Sequence, residues 1–60
     1  MSKTIKKMHD LICASGANIT HMEHIASQKY VSKTKMRESL KKQMQYLQDM
    51  TITLYDNTLD

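Results

Sequence analysis

Sixty residues with a net charge of +3 make one small domain, residues 1–60. A chain this short buries only about 60% of the surface its unfolded form exposes, which excludes a catalytic cleft with an ordered supporting shell. The single cysteine, Cys13, excludes an intramolecular disulfide and a two-cysteine metal site. No apolar run approaches the roughly eighteen residues of a membrane span, and the N-terminus has no apolar signal segment, so a cytoplasmic protein without membrane contact is expected.

In chain order, Ile5, Met8, Leu11 and Ile12 recur at helical spacing and predict a first helix from about Lys3 to Ser15. Gly16 is expected to stop it, because glycine enters a left-handed conformation cheaply. Ala17, Asn18 and Ile19 then read as a short connector. Thr20-His21-Met22-Glu23 matches a capping box and predicts a second helix starting at Thr20 and ending near Lys29 or Tyr30. Ser32 is the expected cap of a third helix, carried by Met36, Leu40, Met44 or Gln43, and Leu47 to about Asp49. From Met50 to Tyr55 the apolar residues Ile52 and Leu54 alternate with Thr51, Thr53 and Tyr55, which predicts a strand. Asp56-Asn57 is a turn signal, leaving only Thr58, Leu59 and Asp60 for a return strand.

Charge is unevenly distributed. From Ser27 to Lys42 there are six basic residues (Lys29, Lys33, Lys35, Arg37, Lys41, Lys42) against one acid, Glu38. The segment from Leu47 to Asp60 has three aspartates and no basic residue. Lys3, Lys6 and Lys7 form a second basic cluster. Alone such a segment reads as a solvated lysine-rich helix face; together with the helix spacing of residues 25–40 it favours a polyanionic partner.

Ile25, Ala26, Val31, Met36 and Leu40 are spaced as in two short helices meeting steeply, with Val31 in the turn and small Ala26 at the closest approach. The run Val-Ser-Lys-Thr-Lys-Met-Arg-Glu-Ser-Leu-Lys-Lys (31–42) resembles the recognition helix of winged-helix and helix-turn-helix regulators of bacteria and phages. The resemblance implies a mainly α fold: a three-helix helix-turn-helix core with a short C-terminal β-strand as a truncated wing. It also implies sequence-specific binding of duplex DNA by a small, nucleoid-associated transcriptional regulator. Ser32, Lys33, Thr34, Arg37, Glu38 and Lys41 occupy positions that face DNA in that family. Arg37 is the candidate for base readout, while Lys35, Lys42 and the Lys6-Lys7 pair suit phosphates. Two positions depart from the pattern: Tyr30 stands where a glycine is often found, and Lys29 where a buried aliphatic residue is usual.

A rival reading starts from period seven. Ile5, Ile12, Ile19, Ala26, Lys33, Leu40, Leu47 and Leu54 are seven apart, and Met8, Ser15, Met22, Lys29, Met36, Gln43, Met50 and Asn57 fill the offset positions. That is a heptad pattern, hence a helical hairpin or coiled-coil dimer acting as a non-enzymatic adaptor or inhibitor on a host protein.

No phosphate loop and no paired carboxylates point to an enzyme, and no cofactor or metal is expected. His21 and His24 lie one helical turn apart, but two ligands do not close a zinc site. The histidines read as surface residues, Cys13 as a small packed residue, and Met8, Met22, Met36 and Met44 as core filler. Besides DNA, the expected partners are a second copy, paired through a strand at Thr51–Tyr55, and a further protein.

Overall fold

The computed structural model describes residues 2–56. They form two long helices, α1 (Lys3–Ala26) and α2 (Lys33–Tyr55), joined by residues 27–32. Asn18 meets Ser39 and Gln43, while Ser15 meets Gln43. As α1 advances α2 recedes, so the pair is an antiparallel hairpin. It measures 46 × 17 × 9 Å with a radius of gyration of 14.1 Å. A compact chain of this length would have a radius of gyration of about 10 Å, so the hairpin is a rod one helix thick.

Side-chain hydroxyls start both helices. The Ile5 N–H donates to Ser2 Oγ at 3.1 Å and the Lys35 N–H to Ser32 Oγ at 3.2 Å, each satisfying a backbone donor that the helix leaves orphaned. The end of α1 is closed by Ser27, whose N–H bonds the carbonyls of Glu23 and His24 and whose hydroxyl donates to His24 O at 2.7 Å. Gln28 adds a side-chain bond to the same carbonyl.

The positions of α1 withdrawn from solvent include Thr4, Met8, Leu11, Ser15, Asn18, Met22 and Ile25; those of α2 include Met36, Ser39, Gln43, Tyr46, Met50 and Thr53. Steps of four and three alternate along both, which is the seam of a coiled coil. The fully buried positions of the seam are mostly polar, while Met8, Leu11, Met22, Met36, Tyr46 and Met50 are half-buried beside them. Ile25 is the one buried apolar residue among those described, beside buried Ser15, Asn18, Ser39 and Thr53.

The three-helix helix-turn-helix core with its C-terminal strand is therefore incorrect: the described residues contain two helices and no strand. Gly16 does not stop the first helix. Its φ is not positive, and a mid-helix glycine costs only about 1 kcal/mol, less than forfeiting the seam on either side of it. The connector at Ala17, Asn18 and Ile19 is helical. Thr20 caps nothing; its hydroxyl donates back to Gly16 O at 3.1 Å inside α1. The strand expected at Met50–Tyr55 is the last part of α2, where Thr51 and Thr53 donate to the carbonyls of Leu47 and Asp49 at 3.0 and 2.7 Å. A lone strand would leave its N–H and C=O rows unpaired, whereas the helix pairs them within the segment. With the strand goes the strand-paired dimer through Thr51–Tyr55. Asp56 closes α2 through its N–H to Thr53 O; Asn57 and the proposed return strand lie outside the described residues.

The cap at Ser32 is as the sequence predicts, and a turn does precede it. It does not join steeply crossing helices. Val31 and Ala26 are exposed, so neither plugs an angle nor marks a close approach. Tyr30, standing where a glycine is often found, is not in a left-handed conformation, since no non-glycine residue among those described has a positive φ. It stands exposed with the Lys29 ammonium 5.7 Å from its ring centre.

Candidate interaction surface

Beside the seam lies a second column one residue out of step with it. Ile5, Ile12 and Ile19 each follow the seam residues Thr4, Leu11 and Asn18; Leu40, Leu47 and Leu54 follow Ser39, Tyr46 and Thr53. In an antiparallel pair the two helices are related by an approximate two-fold axis normal to their plane. Equivalent seam-flanking positions therefore emerge on the same side of the hairpin. The opposite side obeys the same geometry: Ala14 and His21 of α1 share a shallow depression with Lys42 of α2. The six aliphatic residues thus form one continuous flank. They range from 42% exposed at Ile19 to 63% at Leu54. Met44 and Ile52 are exposed as well, Met44 next to the flank and Ile52 on the far side of α2.

Between the helices the polar network is closed. Asn18 Nδ2 donates to Ser39 O at 2.9 Å and to Gln43 Oε1 at 3.1 Å, and Gln43 Nε2 donates to Ser15 Oγ. No buried side-chain N or O among the described residues lacks a partner. A register slip would break all three bonds together, so the network fixes which residues of the two helices face each other.

The residues expected to read DNA do not assemble into one face. Ser32 is occupied as a helix cap. At 100° per residue, Lys33, Arg37 and Lys41 follow one another at spacing four on one side of α2, with Arg37 and Lys33 bordering the aliphatic flank. Lys35 and Lys42, seven apart, lie on the other side. Thr34 and Glu38 are exposed between these rows. Lys6 and Lys7 belong to the first turns of α1, at the open end of the hairpin, whereas the α2 lysines are in the half that holds the turn.

At the turn, His21, His24, Gln28, Tyr30 and Lys35 surround an open concavity. Among the described residues no three of His, Cys, Asp and Glu come close enough to hold a metal ion. Cys13 is not packed as expected: it is exposed, with Sγ 3.9 Å from the ring nitrogens of His9. Met8, Met22 and Met36 do line the seam, half-buried, whereas Met44 is 60% exposed.

The sequence shows the columns but not which is the seam. Period seven selects Ile5, Ile12 and Ile19 together with Leu40, Leu47 and Leu54, and their hydrophobicity marks them as the interior. The signal that they are not is Asn18 and Gln43, long amides at seam positions of facing helices. No described helix is long and apolar enough to cross a membrane. Comparisons with protein-family models, with curated proteins and with solved structures find no match for this chain.

Proposed function

We propose that this protein is a non-enzymatic helical adaptor or inhibitor that works by docking its aliphatic flank on another protein surface. One observation carries the reading. Six isoleucines and leucines stand in line on one side of the hairpin, 42–63% exposed, while Ser15, Asn18, Ser39 and Thr53 take four of the five fully buried positions among the described residues. Single exposed aliphatic residues need no explanation, but an ordered row of them marks an interaction site. A helical face with anchors at recurrent spacing is also the common form of helix-mediated recognition. The test is a photo-cross-linking residue placed at Leu47, compared with one at Lys42 on the opposite side. Protein adducts are expected from position 47 alone; equal yields, or none, would remove the reading.

A second reading, binding of duplex DNA or another polyanion, is favoured by an electrostatic cost. Both helices begin with lysines and have no acidic residue in the first turn, against the preference of a helix N-terminus for negative charge. Six of the nine basic residues lie between Lys29 and Lys42. Residues tolerated against local stability are candidates for function. Mobility-shift titrations would decide: binding at ~50 mM salt with a log–log slope of about −4 supports it, and no binding at that salt rejects it.

A further inference from the structure

We infer that the occupant of the aliphatic flank is a second copy of this chain, two hairpins stacking flank to flank into a four-helix bundle about a two-fold axis. This rests on the reading of the flank as a docking surface. Three observations select the copy.

The first is area. The flank and Met44 beside it leave on the order of 700 Å² of apolar surface open per chain, close to the ~800 Å² each partner contributes to a standard interface. The second is what the single hairpin lacks. Ile25 is its one buried apolar residue among those described, and chains this small that cannot build a core commonly complete one by oligomerising. Stacking the flanks converts two half-covered seams into one interior with aliphatic layers.

The third is Gly16, the chain's only glycine. It lies near the middle of α1, one turn from both Ile12 and Ile19, on the flank side. A Cβ added there meets nothing within 4 Å, and its φ is not positive. Nothing inside the hairpin requires a glycine, although it weakens the helix relative to alanine. A second helix crossing at mid-flank would require one, because only there does a missing Cβ let two backbones approach. A two-fold axis across the helices runs the copies head to tail. The interface is isologous, so it closes at two chains.

Sedimentation equilibrium of the full chain from about 1 to about 100 µM, with circular dichroism at each concentration, tests this. A dimer is expected. Leu47→Lys and Gly16→Leu should each weaken it at least about tenfold, and Ile52→Lys, off the flank, should leave it unchanged. Gly16→Leu is decisive because leucine raises helix propensity: a loss of dimer cannot then be a loss of helix. A folded monomer at ~100 µM, or a dimer broken by Ile52→Lys and indifferent to Gly16→Leu, would overturn the inference. Cross-links from position 47 separate the two levels. Adducts with the same chain support the dimer, adducts with other proteins alone leave only the docking reading, and no adducts remove both.

Discussion

The seam and the flank run side by side along the same two helices and carry opposite chemistry. The seam is narrow and polar at most of its buried positions, with Ser15, Asn18, Ser39 and Thr53 buried and the Asn18 amide joining Ser39 O to Gln43, which in turn bonds Ser15. The flank is a row of isoleucine and leucine with nothing described against it. Net hydrogen-bond energies are small, because folding exchanges them for bonds to water, while apolar burial is the main favourable term in folding. The hairpin therefore obtains its register from one region and leaves most of its hydrophobic energy available in the other. A protein arranged in this way has a defined shape but modest stability until the flank is covered.

The largest effect that could break this comparison is at Ile25, the exception within the seam. Ile25→Ala removes its one buried apolar side chain and should cost about 2–4 kcal/mol, enough to unfold much of a marginal domain. Urea denaturation at a concentration below self-association measures it. A loss under about 1 kcal/mol would mean that the polar layers hold the hairpin without Ile25.

Next in size is the network. Asn18→Ala leaves Gln43 and the Ser39 carbonyl without their shared donor and should cost about 1–3 kcal/mol. Paired with Gln43→Ala in a double-mutant cycle, it should show a coupling of about 0.5–2 kcal/mol. Additive losses would show that each amide acts alone, and that register is set by shape.

Much of this arrangement was legible in the residues. Ser32 announced its cap because a hydroxyl three residues before a helical N–H is a local device, indifferent to the rest of the fold. The period of seven was equally plain. Two features misled. Gly16 and Thr20 are strong local signals for a break, yet both lie within α1, since a continuous seam outweighs a single propensity. The β-branched run Thr51-Ile52-Thr53 suggested a strand, but threonine hydroxyls can bond back to helical carbonyls, and β-propensity counts only where a sheet exists to receive it. The identity of the seam was only half legible: Met8, Ser15, Met22, Met36, Gln43 and Met50 recur at period seven, but that they meet across the hairpin in place of the isoleucine and leucine column depends on reciprocity between Asn18 and Gln43 across 25 residues of sequence.

On the flank side the expected effects are smaller and favourable. Gly16→Ala should stabilise the dilute hairpin by about 0.5–1 kcal/mol, since the added methyl meets open space and the unfolded chain loses freedom. Thermal unfolding at low concentration reads the gain. A destabilised protein would mean that Gly16 serves a contact within the hairpin.

The smallest effect concerns the start of α2, where stability and charge pull apart. Lys35 is the third residue of that helix, and its N–H is already held by Ser32 Oγ at 3.2 Å. Lys35→Glu would place a carboxylate able to reach back to the Ser32 N–H, completing a capping box, and would replace a cation with an anion at the positive end of the helix. Both changes act in the same direction, so a gain of about 0.5–1 kcal/mol is expected, shrinking as salt is raised. The same substitution removes one positive charge from the turn half and adds a negative one. If the lysines are there to meet a polyanion, Lys35→Glu gains stability and loses affinity for duplex DNA together. If they are solvated residues on an adaptor whose working surface is the flank, stability rises and cross-linking from position 47 is unchanged. Stability, DNA retention and cross-link yield measured on this one variant therefore separate the basic half from the aliphatic flank as the working surface.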